Sequence, residues 1–106
     1  MVVVNVARDF TRFPAGRYKR NGRTSGEAFR EKFLEAPLRQ GEAVRVELDG
    51  TVGFGSSFLE EAFGGVVRSL ALLGAEILQR LTIESSDPEL RNEVIEYIRE
   101  ASARRK

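Results

Sequence analysis

The sequence predicts a single α/β domain spanning residues 1–106, with a small, mostly parallel sheet packed by three helices. Three observations predict it. Short β-branched runs alternate with longer stretches whose apolar residues recur every three or four positions, the pattern of strands joined by helical crossovers. Hydrophobic residues make up 42% of the 106 positions, enough for a core of its own. No linker, internal repeat or low-complexity stretch divides the chain.

The elements follow in order. Val2-Val3-Val4-Asn5-Val6 is short, β-branched and almost continuously apolar, and reads as a strand. Pro14 and Gly16 mark a turn, and Phe13 and Tyr18 beside it suggest short flanking strands, which would form an antiparallel hairpin with the first strand. Residues 19–23 read as a polar loop. Thr24 or Ser25 offers a helix N-cap, and Thr24 with Glu27 matches a capping box. Phe29 and Phe33, then Leu34 and Leu38, supply the buried face of that helix, which Pro37 ends or kinks and Gly41 closes.

Residues 43–49 alternate apolar and polar side chains, so this strand buries one face. A Gly/Ser-rich turn over residues 50–57 leads into a helix from about Phe58, with Phe58, Leu59, Ala62, Phe63, Val66, Val67 and Leu70 on its apolar face. Gly64-Gly65 costs such a helix about 1 kcal/mol per Gly relative to Ala, and close packing against a neighbour accounts for the pair. Residues 81–85 form another strand. Asp87 caps the last helix with Pro88 in its first turn, and Leu90, Val94, Ile98 and Ala101 line its buried side. Arg104-Arg105-Lys106 places cations at that helix's C-terminus, where they suit the macrodipole.

Composition narrows the chemistry. The chain has no Cys and no His, which excludes disulfides, thiolate chemistry, a Ser-His-Asp triad and an ordinary zinc site. No apolar run approaches the roughly 18–20 residues that span a bilayer, and Met1-Val2-Val3-Val4 is too short for a signal-peptide core. The expectation is a cytoplasmic protein with no membrane role. No cofactor is expected either. The 50–57 turn lacks the Gly-Lys-Ser/Thr ending of a P-loop, and Phe58 stands where a dinucleotide fingerprint needs its third glycine. A carboxylate or Mg²⁺-dependent enzyme would have to use Asp49, Glu60 and Glu61, which can approach one strand end.

Two segments stand out as sites. In the first, Ser57 and Glu60 match a capping box, so Ser57 is either the start of the helix or, with Ser56, a candidate phosphoacceptor. Ser56 lies just outside that cap, with the freer hydroxyl, where a phosphate would gain from the helix N-terminus while Glu60 and Glu61 oppose it. In the second, residues 1–23 carry six cations against Asp9 alone, while the remaining residues carry eleven against fifteen acids. Arg17, Lys19, Arg20 and Arg23, with Tyr18 among them, form a candidate anion-binding loop. It can meet nucleic-acid phosphates or an acidic partner, or simply be solvated.

A strand ending in Leu48-Asp49, a short turn, Ser56-Ser57 and an apolar helix resembles the STAS domain (sulfate transporter and anti-sigma factor antagonist). More closely, the chain resembles a STAS-like bacterial family of unknown function. The family's Pro-Gly-Gly-Arg-like turn is matched by Pro14-Ala15-Gly16-Arg17. Its Ser-Gly-x-x-Phe helix start is matched by Ser25-Gly26-Glu27-Ala28-Phe29, and its Ser-Ser-Phe-x-x-Glu motif by Ser56-Ser57-Phe58-Leu59-Glu60-Glu61. The resemblance implies a non-enzymatic, protein–protein signalling module whose partner is an ATPase- or kinase-like regulator. It implies docking through Gly53, Phe54, Gly55, Phe58 and Glu61, with Ser56 at the phosphoacceptor position. Gly55 stands where the phosphorylated STAS turn carries Asp. The expectation from another class is nucleic-acid binding through residues 17–23.

Overall fold

The computed structural model describes residues 1–72 and 74–104. Arg105 and Lys106, two of the three cations expected to close the last helix, lie outside the described residues. Strands β1 (Val2–Asn5), β2 (Val44–Glu47) and β3 (Leu81–Glu84) form one sheet, in that order and all parallel. The period-two pattern decides which side chains enter the core. Val4, Val44, Val46, Leu81 and Ile83 are buried, while Val3, Asn5, Arg45, Glu47, Thr82 and Glu84 are exposed or half-buried. Right-handed crossovers in a 1-2-3 sheet all fall on the same face, which matches burial on one side only.

The helices fill that side. Helix α1 covers residues 26–39, as α-helical Gly26–Phe29, a π-helical turn Arg30–Leu34 and α-helical Glu35–Arg39. Helix α2 covers residues 56–70 and is built the same way, with its π turn at Glu60–Gly64. It stops at Ala71, whose φ of 54° is left-handed. Helix α3 (Gly74–Arg80) leads into β3, and α4 (Pro88–Ala103) closes the fold. Asp87 caps α4 as its sequence requires, accepting from the Glu89 N–H at 3.0 Å. The aliphatic side chains of the sheet meet a cluster of rings in which Phe29 packs on Phe10, Phe33, Phe58 and Phe63 with centroids 5.3–6.1 Å apart.

Several sequence expectations need correction. No N-terminal antiparallel hairpin forms. After β1 the chain makes one π-helical turn (Val6–Phe10) and then a loop whose carbonyls serve α1. Gly16 O accepts from Gly26 N–H and Arg17 O from Glu27 N–H, both at 3.0 Å. These are free donors of the helix's first turn, which outcompete a strand ladder for the loop. The α1 cap is Ser25, whose Oγ accepts from Ala28 N–H. Glu27 turns away from Thr24 to accept from Lys19 N–H, so the Thr24–Glu27 capping box is absent. Pro37 does not end α1, which runs on to Arg39 past the π turn. Four helices longer than one turn are described rather than three, because α3 follows the break at Ala71.

Gly26 sets how closely α1 and α2 approach. A Cβ there would run into the Phe58 carbonyl oxygen and come within 3.1 Å of Ala62 N. Gly26→Ala is therefore expected to cost roughly 1–3 kcal/mol through overpacking. It should read as a fall in Tm of about 4–8 °C per kcal/mol in thermal unfolding followed by circular dichroism.

Candidate functional site

The turn between β2 and α2 lies at the carboxyl end of the parallel sheet, where ligands and partners of such folds bind. Asp49 holds it to the next loop by accepting from Ser86 N–H at 3.0 Å and from Ser86 Oγ–H at 3.1 Å. Gly50 (φ 105°) and Gly53 (φ 144°) take left-handed angles that let the chain turn back. A cavity of about 490 Å³ opens beside it, bordered by Asp49, Val52, Phe54, Ser86, Asp87 and Leu90 among others. Phe54 is half-buried against Phe58, with ring centroids 5.7 Å apart. Val52 is 66% exposed, and its N–H donates to Arg12 O at 2.9 Å, which joins this turn to the segment carrying Phe13, 62% exposed.

The two serines occupy positions different from those the capping pattern suggests. The N-cap is Gly55, with extended backbone (φ −76°, ψ 146°), and α2 begins at Ser56. Ser57 is thus not the cap. Glu60 is drawn off by two arginines, so no reciprocal capping box closes. Among the described residues neither serine hydroxyl makes a hydrogen bond, and both serines are exposed in the first turn. Gly55 and Gly53 are exposed too. Phe58 and Glu61, two of the expected contact residues, are buried beneath the turn.

The acids below the turn are tied into a network that sequence reasoning missed. Glu61 pairs with Arg30 at 3.0 Å, and both side chains are about nine-tenths buried. Arg30 also pairs with Glu35, which accepts from Ser69 Oγ–H at 2.8 Å. Glu60 pairs with Arg17 and, at 2.7 Å, with Arg68. Burial alone would push Glu60 up, but the hydrogen bonds from Arg68 and Arg17 outweigh it and hold the carboxyl below its usual range. Arg17 and Arg68 are raised in turn by their bonds to Glu60. Gly64 and Gly65 make the room. A Cβ at Gly64 would meet Glu60 Oε2 at 2.6 Å, and one at Gly65 would meet Arg30 Nε at 2.8 Å. Close packing was the expected role of this Gly pair, and the neighbours it admits are charged side chains.

The four cations of the candidate anion loop are deployed unequally. Arg17 is committed to Glu60 and Glu61. Lys19, in the short 3₁₀ turn Lys19–Asn21, pairs with Glu31 at 2.6 Å, which raises its ammonium. Arg20 lies over the Tyr18 ring at 4.7 Å. Arg23 is exposed with no partner among the described residues. The three acids of the Mg²⁺ reading are not gathered. Asp49 is bonded to Ser86 while Glu60 and Glu61 are bonded to arginines, and no cluster of three metal-ligating side chains occurs among the described residues. Nor is any helix among them long and apolar enough to cross a membrane.

Two expectations follow from the network. Glu61→Gln leaves the buried Arg30 with Glu35 as its remaining carboxylate partner and should cost about 1–3 kcal/mol in denaturant unfolding, whereas the double change Arg30→Met/Glu61→Leu should cost less. Glu60 releases its proton more readily when folded than when unfolded. It therefore adds stability at neutral pH that disappears as pH falls from the ordinary value of 4.5 through the lower folded one. Glu60→Gln should accordingly lower Tm at pH 7 and flatten its decline in acid, measured as Tm against pH.

Comparison with protein families places this geometry. The family described as a STAS-like domain of unknown function (DUF4325) matches residues 25–91. Comparison with curated proteins and with solved structures gave no match. The matched span opens on Ser25, the cap of α1, runs through β2, the Gly/Ser turn, α2, α3 and β3, and ends in the first turns of α4. It covers more than half of the chain and includes the whole of the turn and, Arg17 apart, its charged support, and the chain belongs to this STAS-like family of unknown function.

Proposed function

We propose that the protein is a non-enzymatic signalling module that docks to an ATPase- or kinase-like regulator through the Gly53–Phe58 turn, with phosphorylation of Ser56 tuning the contact. The observation that carries this reading is the pair of exposed, unbonded hydroxyls at the start of α2, one turn from exposed Val52. A serine that capped its helix would have its oxygen occupied, and Ser56 does not. A phosphate at the first helical position gains from the free N–H groups and the positive end of the helix. The acids expected to repel it, Glu60 and Glu61, are neutralised by Arg17, Arg30 and Arg68. Gly55 supplies no carboxylate beside Ser56, so on this reading the partner brings the base that takes the hydroxyl proton.

The turn also suits recognition mechanically. Its base is pinned by the Asp49–Ser86 bonds and by Phe58 in the core, while Val52, Gly53, Gly55 and Ser56 face outward. A rigid support under an exposed tip limits the ordering cost of association.

Capture of the chain from its native cell, with phosphosite mapping, is expected to find phosphate on Ser56. Ser56→Asp should change affinity for the captured regulator by roughly tenfold or more, as one to three added or lost charge-assisted hydrogen bonds would. Ser56→Ala should bind like the unmodified chain. Absence of phosphate at Ser56 together with full binding by Ser56→Asp sinks the switch.

A further inference from the structure

Surplus charge and surplus apolar surface coincide at one corner of the molecule. Of the described arginines and lysines, only Arg12 and Arg23 have no carboxylate, carbonyl or aromatic partner. The rest are held as Arg8 is by Asp9, Arg45 by Glu47, Arg80 by Leu38 O and Arg91 by Ile83 O. Both free arginines belong to segments that run beside Phe13. Arg12 precedes it in the chain. Arg23 adjoins Thr24, whose carbonyl accepts from Ala15 N–H at 3.0 Å, so the two segments run side by side. Phe13 and Val52 are two of the four large apolar side chains exposed among the described residues, and the 2.9 Å bond from Val52 N–H to Arg12 O brings their segments together. Three independent pieces of chain thus deliver two unpaired cations and two uncovered apolar groups to one place.

We infer that the corner made by Arg12, Phe13, Arg23 and Val52 docks an acidic protein surface that presents an apolar side chain between carboxylates. This deepens the reading of the adjacent turn as a docking site and rests on it. Guanidinium groups bind carboxylates in bidentate fashion, and arginine with exposed aromatic rings is the composition enriched where protein interfaces concentrate their energy. A nucleic acid fits less well, since two cations release few counterions and one ring stacks one base. An anionic bilayer calls for a cluster of about 4–8 cations near the surface, more than the two left free here. The acids at the far side of the corner set the orientation. Asp49 and Asp87 border the cavity beyond Val52, so the partner's apolar side chain belongs over Val52 and Phe13, and its carboxylates on the Arg12 and Arg23 side.

The test uses the intact chain and a library of random peptides displayed on phage, selected in parallel against wild type and against Arg12→Glu/Arg23→Glu. Both arginines are exposed and unbonded, so the variant should keep the wild-type circular dichroism and Tm, checked first. Wild type is expected to enrich Asp and Glu around an apolar residue, and the charge-reversed variant to enrich Lys and Arg. Phe13→Ala should weaken the wild-type peptides roughly tenfold or more. A neutral or basic consensus from wild type, binding indifferent to both variants, or no selected peptide at all overturns the inference. So does retention instead on phosphatidylglycerol/phosphatidylcholine vesicles or on a short single-stranded oligonucleotide that is lost with Arg12→Glu/Arg23→Glu. Ser56→Asp separates this inference from the one it rests on. Acidic peptides that need the corner but ignore Ser56→Asp leave the docking surface standing without the switch. Peptides that ignore the corner but are lost with Ser56→Asp overturn the corner and leave the signalling reading intact.

Discussion

Arg30 and Glu61 meet across the contact between α1 and α2, where neither could stay charged alone. Removing an ion pair from water costs several kcal/mol per ion, recovered only with close geometry and further hydrogen bonds. Much of the surrounding structure supplies those conditions. Gly65 leaves space for the Arg30 side chain, Glu35 takes its second nitrogen, and Gly26 lets the helices come near enough for the pair to form. Even so, Arg30 Nε is buried and donates to nothing among the described residues. The pair is therefore weak evidence for stability as such. What it specifies is one relative placement of two helices, since sliding either would strand a charge.

That placement reaches the turn. Glu61 follows Glu60, and Glu60 draws Arg17 from the early loop and Arg68 from about two turns further along α2. The residues that position the 14–24 loop are thus the same acids that lie under Ser56 and Ser57. Because the acids are spoken for, the capping geometry expected at Ser57 gives way to a plain glycine cap, and the serine hydroxyls are left outside. The exposure of the turn's hydroxyls is in this sense a consequence of the buried charges one turn below.

Much of the fold was legible because hydrophobic period is a strong signal. The alternation in 43–49 placed β2, and Asp87-Pro88 placed the start of α4. What failed were inferences from short polar motifs. Thr24–Glu27 and Ser57–Glu60 both satisfy the capping pattern, yet Glu27 serves the Lys19 amide and Glu60 serves two arginines. A local motif cannot report a competing partner distant in sequence. Pro14 and Gly16 marked a real turn, but its carbonyls went to the α1 amides and not to a strand. The sequence also carries a signal for the π turns. In α2 the apolar positions 58, 62, 66 and 70 repeat every four residues, and an α-helix drifts about 40° at each such step. Only a wider turn keeps that face aligned, and the π turn Glu60–Gly64 falls within the run. The step from Phe33 to Leu34 in α1 carries the same information for the π turn there.

The sheet's uncovered face raises the question of why a partner should prefer the corner at Phe13 and Val52. Parallel sheets usually bury both faces, so an open one looks like the natural interface. Its side chains argue otherwise. Asn5 Nδ2 donates to Glu47 at 3.5 Å, Arg45 pairs with Glu47 at 3.4 Å, and Val3 is the lone large apolar group exposed on that face among the described residues. A partner settling there would strip water from groups already paired and would gain little apolar burial. At the corner the balance is reversed. Arg12 and Arg23 have no internal partner to lose, and Phe13 and Val52 are each more than 60% exposed. Association is favoured where polar groups are still unmet and apolar groups still wet, and in this domain those two conditions coincide beside the turn that carries Ser56.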